Sequence, residues 1–194
     1  MEDVFALLLE DKEFYSRSKG GVTLSGGEPG LYPEFVASLL SLCRNAGIHT
    51  CVETNGSPAW PNYMAFLDQT DLFLFDYKMT DPEAHLRWTG APLEPILRNL
   101  EALLNARKKV ILRCPVIPGV NDVDSHLEGI ARLVLKFDLT CEVLPFHGTA
   151  KDKWSALGLV NEFASTPSMT EEAAEEIVGR IKAFGVPPDS VIIP

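Results

Sequence analysis

The chain has 194 residues, 46% hydrophobic and 23% charged, the proportions of a soluble folded protein and not of a disordered one. Its 17 Lys and Arg against 27 Asp and Glu leave a net charge of −10, which argues against a general nucleic-acid binder or a binder of anionic membranes, since both need a basic face. No apolar run nears the roughly 18 residues of a membrane span, and the start Met1-Glu2-Asp3 is unlike a signal peptide, so a cytoplasmic location is expected.

Phe5, Leu8 and Leu9 repeat at helical spacing, so the chain opens in a helix. Val22 to Ser25 reads as a strand that runs into Gly26-Gly27. Pro33 suits the first turn of the next helix, with Phe35, Leu39, Leu42 and Cys43 as its apolar face and Gly47 as its stop. His49 to Glu53 is a strand closed by the turn Asn55-Gly56, and Pro61 opens a short helix. Leu72 to Tyr77 is a strong strand. Asp81-Pro82 starts a short helix, and Leu93 to Ala106 makes a longer one with Leu97, Leu100 and Leu104 on one face. Val110 to Ile117 is a strand ending at Pro118-Gly119, followed by a helix marked by Leu127, Ile130, Ala131 and Val134. Thr140 to Leu144 is a strand leading to a loop, where Trp154 reads as an anchor. Ser168 and Glu171 fit a capping box before the last helix, and a short strand, Val191 to Ile193, ends the chain. This alternation predicts one α/β domain over residues 1–194, with parallel strands and right-handed crossovers.

Ligands of parallel α/β proteins bind at the carboxyl ends of strands. Those ends carry Ser25, Gly26, Gly27 and Glu28; Glu53, Thr54 and Asn55; Asp76 and Lys78; Arg113; and His147. Residues two apart share a face, so Asp76 and Lys78 lie with Leu72 and Leu74, while Phe73, Phe75 and Tyr77 point to the packed side. Singly, each has a plain structural reading: a tight turn at Gly26-Gly27, ion pairs for Glu53 and Asp76, wall positions for His49 and Cys51. Their conjunction at successive strand ends marks a site. The four cysteines, Cys43, Cys51, Cys114 and Cys141, are scattered and read as reduced thiols, without the close spacing of a metal site.

The run Gly20-Gly21-Val22-Thr23-Leu24-Ser25-Gly26-Gly27-Glu28-Pro29, then Glu53-Thr54-Asn55-Gly56, Asp76-Tyr77-Lys78, Ile117-Pro118-Gly119-Val120-Asn121-Asp122 and Leu144-Pro145-Phe146-His147, resembles in order the motifs of the radical S-adenosylmethionine superfamily. The glycyl-radical-enzyme activating enzymes are the most similar members. The resemblance implies a partial (β/α)6 TIM-like open barrel. It implies that Ser25, Gly26, Gly27, Glu28, Glu53, Thr54, Lys78, Arg113 and His147 contact the cofactor, with Lys78 neutralising its carboxylate. Glu53, Thr54 and Asp76 resemble the ligands of a monovalent cation, although the family more often carries Asp at the position of Glu53. It further implies S-adenosylmethionine and a 4Fe-4S cluster as cofactors, a glycyl-radical enzyme as partner, and flavodoxin or ferredoxin as electron donor.

The family's CxxxCxxC cluster loop is not in this sequence, and Cys43 and Cys51 are separated by seven residues and fall on other elements. Clusters need soft thiolate ligands. The chain therefore resembles a family member whose first βα unit is missing, and alone it is expected not to cleave S-adenosylmethionine. A binding module without chemistry, and an unrelated barrel hydrolase or lyase using Glu53, Asp76, Lys78 and His147, are the alternatives. A missing strand would leave the edge near Thr23 unpaired, to be covered by self-association, by Val191 to Ile193, or by the first helix.

Overall fold

Alternation and turn residues are realised as six strands among the described residues of the computed structural model: β1 (Gly21–Leu24), β2 (His49–Thr54), β3 (Leu72–Asp76), β4 (Lys109–Val116), β5 (Thr140–Pro145) and β6 (Val191–Ile192). They form one sheet in sequence order, β1 to β6. The pairs β1–β2, β2–β3 and β5–β6 are parallel. The structure describes residues 1–150, 158 and 162–194; Trp154 lies outside them. The chain groups into two compact units, Met1–Asp76 with Thr89–Ile111, and Tyr77–Trp88 with Leu112–Pro194.

In the first unit the expected opening helix is two, α1 (Glu2–Glu10) and α2 (Lys12–Ser18), broken at Asp11. Phe5, Leu8 and Tyr15 from them pack on Val22, Cys43 and Ile48. Two further helices follow, α3 (Pro33–Asn45) and α4 (Trp60–Phe66). On α3 the buried face is Val36, Leu39, Leu40 and Cys43; Phe35, expected inside, is 44% exposed. Register between β1 and β2 starts at Gly21 opposite His49. A Cβ on Gly21 would sit 2.1 Å from the His49 carbonyl oxygen, so the close approach requires glycine there. Leu72 to Asp76 alternates as expected, with Phe73 and Phe75 fully buried.

Two helices come next, α5 (Pro82–Thr89) in sequence before α6 (Leu93–Asn105). On α6, which belongs to the first unit, the buried face is Leu93, Ile96, Asn99, Leu100 and Leu103, rotated from the expected Leu97–Leu104 stripe. Asn99 sets that rotation: its Nδ2 donates to the carbonyls of Gly56 and Pro58, each at 2.8 Å.

In the second unit, α7 (Asp124–Phe137) buries Leu127, Ile130, Ala131 and Val134, the expected face. Helix α8 (Glu171–Ala183) is capped by Thr170, whose hydroxyl accepts from Ala173 N at 3.2 Å. Ser168, the expected cap, instead accepts from Gly148 N at 2.9 Å. The terminal strand β6 pairs with β5, not with β1, so it does not cover the β1 edge.

Candidate functional site

The loop after β1 is built from residues with open backbone. Ser25, Gly26 and Gly27 are exposed, and Gly26 has φ +114°, a conformation that favours glycine. A Cβ at Gly26 or Gly27 would meet no heavy atom within 4 Å, so these glycines serve no packing contact and leave main-chain groups accessible. A cavity of about 470 Å³ begins beside them, lined by Leu24, Ser25, Gly27, Glu28, Tyr32 and Phe35 among others.

Glu28 turns inward from this loop. Its Oε1 accepts from Thr54 Oγ1 at 2.7 Å and from Gly30 N at 3.1 Å, and its Oε2 accepts from Asn55 N at 2.8 Å. Because the single Thr54 hydroxyl hydrogen goes to Glu28, Tyr63 OH donates to Thr54 Oγ1, at 2.7 Å, as does Gly56 N at 3.1 Å. Burial raises the Tyr63 phenol, against the Thr54 hydrogen bond, which keeps it a donor. Ser25 Oγ donates to Glu53 Oε2 at 2.8 Å, tying the end of β1 to the end of β2.

Glu28 and Thr54 therefore engage each other. Thr54 is 1% exposed and its hydroxyl is committed three ways, so the expected cation ligand set of Glu53, Thr54 and Asp76 lacks that hydroxyl. Among the described residues no group of three or more His, Cys, Asp or Glu is placed to hold a metal ion.

In the second unit, Lys78 is held by its backbone: its carbonyl accepts from Asn121 Nδ2 at 2.9 Å. The same amide donates to Pro115 O at 2.7 Å, while Asn121 Oδ1 accepts from Ile117 N at 2.7 Å. Arg113 pairs with Glu142 at 3.2 Å, both side chains mostly buried. His147 is exposed and lines a cavity of about 370 Å³ with Leu144, Met169, Thr170 and Glu171. Asn121 and Glu142 went unassigned in the sequence. The signal for Asn121 was its place in the Ile117–Asp122 motif, and Glu142 gave none beyond strand alternation with Cys141.

The open backbone at Gly26-Gly27 suits a ligand amino group, which needs carbonyl acceptors and no side-chain obstruction. The thiols do not suit a cluster. Cys43, Cys51, Cys114 and Cys141 form no disulfide and are buried on α3, β2, β4 and β5. Cys114 and Cys141 touch, with sulfurs 3.6 Å apart, and two thiols fall short of the donor set.

Residues 2–134 match the Radical SAM superfamily. The (2S)-3-sulfopropanediol dehydratase activating enzyme of Klebsiella oxytoca is 41% identical over 82% of this chain. The benzylsuccinate synthase activating enzyme of Thauera aromatica is 35% identical over 95% of it. The chain spans 51% and 56% of the lengths of these two relatives. Among solved structures, a domain of pyruvate-formate lyase-activating enzyme from Bacteroides vulgatus superposes with a TM-score of 0.71 at 25% identity, covering 90% of this chain and 99% of that one.

Proposed function

The chain belongs to the radical SAM superfamily, and from that premise we propose that it is the cofactor- and partner-binding portion of a glycyl-radical-enzyme activating enzyme. The observation that carries this reading is the open main chain of Gly26-Gly27 at the end of β1, in a chain whose relatives are activating enzymes. S-adenosylmethionine, when bound, supplies the 5′-deoxyadenosyl group from which the family's radical chemistry proceeds. Here Gly26 and Gly27 receive its methionyl amino group, and Ser25 and Glu53 brace the strand ends beneath them. Lys78, Arg113 and His147 enter through their motif positions, Lys78 as counter-charge to the cofactor carboxylate. The partner of the whole protein is a glycyl-radical enzyme, with flavodoxin or ferredoxin as electron donor.

The dispersed thiols favour a second reading, a module that binds the cofactor or the partner without chemistry. No step of radical generation is assigned to these residues. Anaerobic reconstitution with iron and sulfide, followed by chromatography for 5′-deoxyadenosine, is expected to give neither a stoichiometric cluster nor cleavage. A stoichiometric cluster with cleavage would overturn the assignment of these thiols as unfit. An in-frame CxxxCxxC upstream of Met1 in the coding sequence supports the activating-enzyme reading, and a start codon at Met1 supports the module.

The edge of β1 lies at one end of the sheet, with Leu31 61% and Tyr32 67% exposed nearby in sequence. Among the described residues β1 pairs only with β2, and an open strand edge favours self-association. Sedimentation velocity is expected to show a concentration-dependent dimer. A strict monomer across the accessible concentrations would contradict this.

A further inference from the structure

We infer that Glu28 is a positioning residue, not a ligand contact: its carboxylate clamps the Gly26-Gly27 loop to the end of β2. The inference rests on the cofactor reading above for its functional meaning, but the clamp itself is read from geometry. Glu28 follows Gly27 directly in the chain, in extended conformation with φ −98° and ψ 112°, and leads into the short turn Pro29–Leu31. Its two oxygens accept three donors from two places: Gly30 N within the loop, and Thr54 Oγ1 and Asn55 N across on β2 and just beyond it. Charge-assisted bonds of this kind are about twice as strong as neutral ones. A second brace supports the same loop, since Asn62 Nδ2 donates to Gly30 O at 2.7 Å.

The donor set explains why a carboxylate is required. All three partners give hydrogens, so both Glu28 oxygens must accept. Glutamine keeps one acceptor, enough for Thr54 and Gly30, but turns an NH2 toward the Asn55 N–H. Aspartate is a methylene shorter and cannot span the gap with the same backbone. The two glycines have no side chains of their own to fix them, and nothing packs within 4 Å of where a Cβ would be. Their position is therefore set by their neighbours: Ser25 on one side, bonded to Glu53, and Glu28 on the other.

The test is nuclear magnetic resonance on the wild-type chain, Glu28→Gln, Glu28→Ala and, as a control for general destabilisation, Val134→Ala in the core of the second unit. Two readouts are taken: amide exchange at Gly30 and Asn55, and the affinity for S-adenosylmethionine from shifts at Gly26 and Gly27. Glu28→Ala is expected to speed exchange at both amides and weaken binding about tenfold, the loss of one charge-assisted hydrogen bond's worth of ordering. Glu28→Gln is expected to speed exchange at Asn55 while Gly30 stays protected. Val134→Ala is expected to lower the melting temperature and leave both readouts unchanged. Unchanged exchange at Gly30 and Asn55 in Glu28→Ala would overturn the clamp. Altered exchange with unaltered affinity would overturn the positioning role. Should the wild type show no shift at Gly26 or Gly27, the cofactor reading and the positioning role both fall, while exchange still decides whether the clamp exists.

Discussion

Asn121→Leu is expected to lower the unfolding free energy by roughly 3 kcal/mol or more, the cost of leaving several buried backbone groups without partners. Asn121 is 2% exposed, and its amide makes three contacts, tying Lys78 to the end of β4 at Pro115 and Ile117. Leucine fills a similar volume but strands one N–H and two carbonyls. Asn121→Asp is a sharper probe. It keeps an acceptor for Ile117 N but sets a carboxylate oxygen against the Lys78 and Pro115 carbonyls, so it should destabilise as well. Urea unfolding checks both. Since the Lys78 carbonyl hangs on this amide, the same variants should move the Lys78 resonances. A loss under 1 kcal/mol, about the value of one ordinary hydrogen bond, would show that the three contacts are replaceable.

The second large effect is an acid-labile stability carried by His126. Its ring is 2% exposed and packs on Tyr77 with centroids 5.6 Å apart. Tyr77 OH donates to Thr80 Oγ1 at 3.0 Å, and Thr80 Oγ1 meets His126 Nδ1 at 2.9 Å. Thr80 Oγ1 also lies 3.3 Å from the His126 carbonyl oxygen, and His126 Nε2 has no hydrogen-bond partner among the described residues. Burial lowers the folded-state pKa to about 4 from an ordinary 6.5. Between those values the unfolded chain binds the extra proton and the folded one does not, so stability rises with pH. It is complete above the unfolded value and lost as pH falls toward the folded one. The loss is on the order of 3 kcal/mol, from about 1.4 kcal/mol per pKa unit. Unfolding of the wild type and of His126→Leu should differ in slope across this window and run parallel above it. Parallel profiles throughout would mean the imidazole titrates normally in the fold.

Strand positions were legible because their apolar runs are short and punctuated: Leu72 to Asp76 alternates cleanly, and Gly26, Asn55 and Pro118 close three strands. Helix phase was harder. On α6 two leucine stripes lie side by side, and apolar periodicity alone does not choose between them; Asn99 does, through carbonyls more than forty residues earlier. The cap of α8 failed for a similar reason. Ser168 and Thr170 are both competent caps, and the backbone N–H of Gly148 claims the first.

The site divides along the same line. Motif order singled out Gly26, Gly27, Glu53 and Lys78 as candidates, since strand ends bring sequence-distant polar residues to loops. It did not separate residues facing a ligand from residues facing the protein. Glu28 and Thr54 sit inside the motifs, yet they bond to each other across 26 residues of chain. Such pairings are tertiary, and only the fold reveals that a motif carboxylate is spent on its own backbone.

The most direct test of the account is a resonance titration of the wild-type chain with S-adenosylmethionine. Weak, millimolar-range binding is predicted, with the largest shifts at Ser25, Gly26 and Gly27 at the end of β1. Saturating ligand that leaves those three resonances in place, or shifts concentrated elsewhere, would contradict it.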